Sequence, residues 1–518
     1  MPVASRPHVR RGILSTDAYQ LTMAQLYWRA GLHERTVRFE HFFRSYPDYG
    51  THQAGFCIAA GLGPFAEWMT TTRATPNDVE ALRGHRSRSG DSLFSGEFCD
   101  WFAGVDFSGL RLDAVPEGRV VHPNTPITVI EGPLAAAQLI ETPLLNQLNF
   151  ATLIATKAAR VLEATQGRPV LEFGMRRAAA EGADVASRAA IVGGATSTSN
   201  AAVGYELGRS PAGTHAHSMV QLFIALGEGE AAAFDSYANV YPDDCLLLVD
   251  TVDTLGSGIP NAIATFERLR RRGHTPVGIR LDSGDLAYLA VQAASELERA
   301  GFGDAAIVLS SQLDELTIWQ IIAQIAAEAP RAGLDADAVI GRLVFGVGSR
   351  LATSDGDPSL DGVYKLVAVR DGDEWRAAMK RSDSPVKVLN PGVKRLWRLY
   401  DERGRATADV MSTAGEELQP GVAIELHHHS RPDVSRRLDA KQWSRAQDLT
   451  ATIVDGGAVV ADGGVDALAD LDTASDRRRS DVEDLDPGVR RLVNPHEYHV
   501  SITTAVRDEK LRLLERFV

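Results

Sequence analysis

The chain is 518 residues long, 44% hydrophobic and 24% charged, which excludes disordered, fibrous and collagen-like classes and leaves room for about three domains. Its 54 basic side chains face 68 acidic ones, a formal charge of −14, so the surface as a whole repels nucleic acid and anionic membranes, and an anionic substrate needs its own local arginines. Three widely spaced cysteines, Cys57, Cys99 and Cys245, indicate neither a disulfide framework nor a thiolate zinc site.

The start, MPVASRPHVRRGILSTDAYQ, lacks an apolar run of signal-peptide length, and no stretch approaches the ~20 residues of a membrane span, so a soluble cytoplasmic protein is expected. An aromatic-rich section, VRFEHFFRSYPDYG (37–50), is followed by RGHRSRSGDS (83–92), which reads as an exposed loop. Near Val120 the strand-like VVHPNTPITVIEGP leads into PLAAAQLIETPLLNQLNFATLIATKAARVLEA, whose apolar residues recur at helical spacing and predict one or two buried helices. From about residue 168 short apolar runs recur: LEFGM (171–175), AAIVGG (189–194), LLLVDT (246–251), VGIRLDSGD (277–285), AIVLSS (306–311) and RLVFGVGS (342–349). Each has the length of a buried strand. Amphipathic stretches such as IPNAIATFERLRRRG and LAYLAVQAASELERAG lie between them, the rhythm of a parallel α/β barrel or open sheet. After about residue 372 the stretch KRSDSPVKVLNPGVKRLWRLYDERGR reads as strands and turns of a smaller module, HHHS (427–430) as a solvent-exposed run, and DTASDRRRSDVEDLDPGVRR as an exposed linker or helix surface.

Polar residues cluster where the predicted strands end, so Arg176, Asp250, Arg280, Asp282, Asp285 and Ser349 share one pocket if those ends converge on one face. The bland alternative is that such residues only cap helices and make turns. In AGTHAHSMVQLF (212–223) two histidines precede an apolar helical run. A histidine at a helix start lies where outward-pointing N–H groups stabilise negative charge, which suits His217 to accept a phosphoryl group; a structural histidine or a metal pair with His215 are the competing readings. In GIRLDSGDL (278–286) Arg280 suits a carboxylate, while Asp282 and Asp285 suit ribose hydroxyls or a magnesium ion bound to phosphates. Arg176 and Arg177 offer forked guanidinium groups for a diphosphate, and the small residues of GGATSTSN (193–200) and GVGSR (346–350), including Gly348, let backbone amides approach phosphate oxygens.

With these motifs in hand, the chain resembles nicotinate phosphoribosyltransferases from STDAYQLTMAQLYWRAG (15–31) to NPHEYHVSITTAVRDEK (494–510), through EFGMRRA, GTHAHS, RLDSGDL, FGVGSRLAT and DGVYKLVAV. The resemblance implies a type II phosphoribosyltransferase fold of the α/β class: an N-terminal mixed α/β domain (1–135), an irregular α/β barrel (136–372), and a smaller C-terminal module (373–518) packing back on the first. It implies a homodimer with active sites at the subunit interface, and transfer of phosphoribose from phosphoribosyl pyrophosphate to nicotinate, with ATP as co-substrate and Mg2+ as cofactor. Carried over, His217 looks like the histidine that ATP phosphorylates, Thr214 like part of the nicotinate site, Tyr19 like the tyrosine that stacks on the pyridine ring, Arg280 like the arginine facing nicotinate, and Ser349 like the residue on the 5-phosphate. SSQLDE (310–315) departs from the asparagine pair of related sequences. In TSTSN (196–200) hydroxyls and the amide of Asn200 stand where a nicotinamide-specific relative needs a carboxylate, which favours nicotinate over nicotinamide. A non-catalytic nucleotide-binding relative and a magnesium-dependent barrel lyase are the alternatives of other classes.

Overall fold

The structure is a computed structural model that describes residues 12–380, 389–461 and 464–516. Residues 1–11, part of the segment read above as the chain start, and 381–388, part of the polar stretch after residue 372, lie outside the described residues. The chain forms two compact units: one takes the residues up to Leu153 together with those from Ser359 onward, the other is Ile154–Pro358.

In the second unit, short strands with almost wholly buried side chains form a six-stranded sheet, in the order Ser197–Thr198, Val170–Glu172, Leu343–Val347, Ala306–Ser310, Gly278–Leu281, Leu246–Leu248. Every pairing in it is parallel. Parallel strands are covered on both faces, which is why each reads as a continuous apolar run. The helices between them carry one apolar stripe. Ile259–Arg271 buries Ile259, Ala262, Phe266 and Leu269, and Leu286–Arg299 buries Leu286, Ala290, Ala293 and Leu297, the i, i+3, i+4 spacing of an amphipathic helix. The α/β class is therefore as expected. The ladder has two ends, Ser197–Thr198 and Leu246–Leu248, with no pairing between them among the described residues.

One expected strand is not a strand. AAIVGG forms the last turns of the helix Ala180–Val192 and the glycines after it, with Ala183, Ala186, Ala189 and Ala190 buried at helical spacing. A short apolar run looks the same at either kind of buried element, and the preceding alanines favour helix.

In the first unit, a seven-stranded antiparallel sheet interleaves the two ends of the chain: Glu374–Ala377, Gly362–Asp371, Thr36–Phe43, Thr128–Pro133, Arg111–Ala114, Ala451–Asp455, Ala458–Val459. Phe39, Leu112 and Ile130 from this sheet share a core with Phe65, Phe98, Phe102, Leu144 and Leu148 from neighbouring helices. A six-stranded sheet spans Lys394–Thr503; there Ala406–Thr413 runs parallel to Val500–Thr503, while its other pairings are antiparallel. No helix among the described residues is long and apolar enough to cross a membrane.

Two polar segments differ from expectation. DTASDRRRSDVEDLDPGVRR contains most of the helix Leu471–Asp484, and that helix is no mere surface, because Arg478 and Asp481 are buried. Asp481 accepts from Arg398 at 3.0 Å and Arg119 at 2.6 Å, and Arg398 also holds Asp409 through two bonds of 2.8 and 2.9 Å. In HHHS, His427 and Ser430 are buried, because the strand Ile424–His428 lies between Ser435–Leu438 and Val500–Thr503 rather than at an edge.

Two fully buried histidines of this unit make it acid-sensitive. Burial holds the His41 imidazole down at about 4 and that of His122 at about 3, against about 6.5 in an unfolded chain. Below pH 6.5 the unfolded state binds protons that the folded state refuses, so stability falls as the pH drops, by about 1.4 kcal/mol per pH unit for each histidine until its folded pKa is reached. Urea midpoints measured from pH 7.5 down to 4.5 are expected to fall steadily below pH 6.5; a flat profile contradicts the assignment.

Candidate active site

The parallel sheet aligns its strand ends. Leu246–Leu248 runs on to Asp250 and Thr251, Gly278–Leu281 to Asp282 and Ser283, Leu343–Val347 to Gly348 and Ser349, and Val170–Glu172 to Phe173 and the exposed pair Arg176 and Arg177, with Ser310 ending its own strand. In a parallel sheet these carboxyl ends lie along one side, where α/β proteins bind ligands.

Arg280 organises the centre. Its Nε donates to Ser310 Oγ at 2.9 Å and an Nη to Asp282 Oδ1 at 3.1 Å, and its guanidinium lies 5.3 Å from the Phe173 ring centroid, a cation–π distance. Ser310 Oγ donates in turn to Asp282 Oδ1 at 2.5 Å. Asp282 N–H and Ser283 Oγ both donate to Asp250 Oδ2, at 2.9 and 2.6 Å. The Asp250 side chain is 1% exposed, yet its Oδ1 has no hydrogen-bond partner. A buried carboxylate oxygen without a donor is costly and calls for a ligand, ion or water.

That oxygen faces His217. The His217 Nε2 lies 3.9 Å from Asp250 Oδ1 and 3.8 Å from Asp282 Oδ2, while Nδ1 is 3.1 Å from Thr251 Oγ1. His217 is the first residue of the nine-residue helix His217–Ala225, whose cap, Ala216, supplies no side-chain acceptor. The N–H of Met219 turns back to Ala216 O at 3.1 Å, while those of His217 and Ser218 have no side-chain cap, the part of a helix start that suits an anion. His215 points elsewhere: its Nε2 accepts from Leu248 N–H at 3.1 Å, its ring centroid is 5.0 Å from that of Tyr237, and burial holds its pKa at about 4. It fixes the loop to the sheet as a neutral acceptor.

The remaining candidates divide. Thr214 is half-buried, its Oγ donating to His215 O at 3.3 Å. Asp285 caps Leu286–Arg299 through Tyr288 N–H at 3.1 Å. Asn200 is fully buried, caps Ala201–Glu206 and donates to Asp184 at 2.7 Å. Tyr19 stands half-exposed on the helix Ala18–Arg29 of the first unit. At the Gly174 and Gly348 turns the backbones crowd together: a Cβ on Gly174 would lie 2.9 Å from Gly348 O and 2.3 Å from Ala352 Cβ, and one on Gly348 would lie 3.2 Å from Phe173 O.

Sequence reasoning missed four participants. Thr251, Ser310 and Phe173 position His217 and Arg280 as described. Glu172, fully buried, accepts from Thr198 Oγ at 2.6 Å and Ser187 Oγ at 3.0 Å, and from the N–H of Gly174, so it anchors the turn that carries Arg176 and Arg177. An acidic residue closing an otherwise apolar strand was the available signal. Just past Ser310, Ser311 and Gln312 hold left-handed backbone, φ 105° and 50°, of a kind that costs about 1–3 kcal/mol per residue and collects at functional sites.

Comparison with known proteins identifies the family. The nicotinate phosphoribosyltransferase N-terminal domain family matches residues 14–149 and the corresponding C-terminal domain family matches residues 393–510. The chain is 38% identical to a nicotinate phosphoribosyltransferase of Bacillus subtilis over 425 residues, 82% of this chain and 80% of that one. It is 33% identical to nicotinate phosphoribosyltransferase 2 of Arabidopsis thaliana, over 96% of this chain and 93% of the relative. Its fold superposes on the crystal structure of human nicotinic acid phosphoribosyltransferase with a TM-score of 0.76 and 28% identity, covering 96% of this chain and 99% of the human one. The chain thus belongs to the nicotinate phosphoribosyltransferase family.

Proposed function

We propose that the protein transfers phosphoribose from phosphoribosyl pyrophosphate to nicotinate, releasing pyrophosphate and forming nicotinate mononucleotide for NAD biosynthesis, with ATP hydrolysis coupled through phosphorylated His217. The observation that carries this reading is the His217 ring held between Thr251 and the carboxylates of Asp250 and Asp282, with Arg280 bonded to the same Asp282. ATP gives its terminal phosphoryl group to the imidazole, breaking the P–O bond to ADP as the P–N bond forms. Thr251 keeps the ring in one orientation, and the open N–H groups of His217–Ala225 stabilise the added charge. Arg280 then faces the nicotinate carboxylate, Tyr19 and Thr214 complete the pyridine site, and an amide at Asn200 in place of a carboxylate favours acid over amide. As the ring nitrogen attacks the anomeric carbon, Asp282 holds the ribose, Arg176 and Arg177 take the departing diphosphate, and Gly348 and Ser349 hold the 5-phosphate. Catalysis is thus positioning and charge stabilisation. Water finally hydrolyses the phosphohistidine.

The free Asp250 Oδ1 and the nearby Asp282 Oδ2 fit a magnesium ion, a hard cation that takes one or two carboxylates beside substrate phosphates. Held by these two carboxylates, the ion would supply positive charge to the substrate phosphates. Cytoplasmic location and a homodimer that brings Tyr19 of one chain to the pocket of the other complete the proposal.

The decisive assay gives purified protein phosphoribosyl pyrophosphate and Mg2+ with nicotinate or nicotinamide, with and without ATP. Mononucleotide from nicotinate, stimulated by ATP, is expected; product from nicotinamide alone reassigns the substrate, and product from neither overturns the reading. Arg280→Gln is expected to raise the KM for nicotinate by about 10- to 100-fold, the loss of one charge-assisted pair worth about 1.5–3 kcal/mol, and to narrow the preference over nicotinamide. An unchanged KM would remove Arg280 from the carboxylate site.

A further inference from the structure

The run HHHS and the loop NPHEYH take no part in the chemistry above, yet both end at one cleft within the first unit. The strand Ile424–His428 pairs with Val500–Thr503, His428 opposite Ser501, which brings residues 428–431 alongside 495–499 around a space of about 640 Å³. Pockets of about 300–1,000 Å³ are the size that holds small organic ligands.

The wall is aromatic, and His428 turns a donor toward the cleft's ligand. The rings of His428 and His429 stack at 4.5 Å. The Nδ1 of His428 accepts from the N–H groups of Ser430 and Arg431 at 3.1 and 3.2 Å, so the proton of the neutral ring sits on Nε2, a donor. Across the cleft the Tyr46 hydroxyl is 2.7 Å from His122 Nδ1, and Tyr498 lies flat against the same His122 ring at 3.8 Å.

The local charge opposes that of the whole molecule. In a chain of formal charge −14, Glu497 is the one acidic residue of the lining, against Arg44 and Arg431. Lys510 donates to His429 O at 2.8 Å. Burial first, and then Arg431, holds His428 below the ordinary imidazole value, burial first and then His428 and Lys510 hold His429 there, and burial and Arg436 act likewise on His499. A concave site of positive potential concentrates anions.

We propose that this cleft binds a phosphorylated ligand of mononucleotide size, its phosphate held by His428 and Arg431 and its ring system lying against the aromatic wall. The proposal concerns the first unit alone and stands whether or not the catalytic reading holds. Hydrogen exchange of the full-length protein with AMP, inorganic phosphate or adenosine tests it. AMP is expected to protect peptides covering 428–431 and 495–499; protection confined to peptides covering 214–217 and 280–285 would place AMP at the catalytic pocket and overturn the proposal. Phosphate protecting the same cleft peptides more weakly than AMP supports a phosphate subsite, whereas adenosine protecting them as well as AMP overturns it. By calorimetry, Arg431→Glu, at an exposed position, is expected to weaken AMP binding at this site at least tenfold while leaving the KM for nicotinate unchanged. An affinity within twofold of the parent protein overturns the proposal.

Discussion

In His217→Ala, ATP no longer accelerates product formation, and the ATP hydrolysis that accompanies transfer falls to background, while slow transfer from phosphoribosyl pyrophosphate to nicotinate persists. The alanine has no nitrogen to accept the phosphoryl group, so the coupling pathway is lost whole, whereas the residues proposed for the ribose and diphosphate are untouched. Asp250→Asn separates the ring's chemistry from its placement. The orphaned Oδ1, 3.9 Å from His217 Nε2, loses its charge while the shape remains, and a fall of about 100- to 1,000-fold in phosphorylation is expected, as for loss of one preorganised electrostatic contact. The check is steady-state turnover with and without ATP, beside acid-labile 32P incorporation from γ-labelled ATP. Full coupling in His217→Ala would end the phosphohistidine assignment.

Arg398→Met is expected to destabilise the first unit by about 3–5 kcal/mol, the cost of leaving buried carboxylates without their cation. Arg398 is 1% exposed and holds Asp409 twice, Asp481 once and Val120 O at 2.8 Å. With Arg398 gone, Asp481 keeps Arg119 at 2.6 Å and the Val120 N–H at 2.9 Å, but Asp409 keeps the Tyr498 hydroxyl at 3.1 Å and loses the cation that offsets its buried charge. A melting temperature lower by on the order of 10 °C follows. Arg398→Met with Asp409→Leu is expected to recover part of the loss, because removing both partners of a buried pair costs less than removing one; additive losses would show that the pair is not coupled.

The sequence made legible what is local. Strands such as Ala306–Ser310 and helices such as Leu286–Arg299 announce themselves by continuous apolar runs and by a 3.6-residue stripe. His217, Arg280 and Asp282 stood out because reactive side chains follow those runs at fixed places. What stayed hidden depends on distant partners. Asp285 and Asn200 have side chains that serve helix starts, and nothing in their neighbours tells a cap from a ligand. Ser197–Thr198 is two polar-looking residues that become a strand only beside Val170–Glu172. Asp481 sits in a charge-dense run that reads as solvated surface, and its burial follows from Arg398, far away in the chain. His427 reads as exposed for the same reason: the strand that covers it, Val500–Thr503, is remote in sequence.

The interleaved sheet of the first unit also sets an order on synthesis. Thr36–Phe43 pairs with Gly362–Asp371, and Arg111–Ala114 with Ala451–Asp455, so early strands emerge from the ribosome long before the strands that complete them. Ile154–Pro358 is continuous and holds all six parallel strands. Such a nascent chain can close its middle while its beginning still waits, and contacts that span most of a polypeptide form slowly and leave sheet edges open meanwhile. The strand Thr36–Phe43, with Phe39, Phe42 and Phe43 along it, is the segment that a holdase would have to shield in that interval, and truncation before Asp371 would leave that requirement permanent.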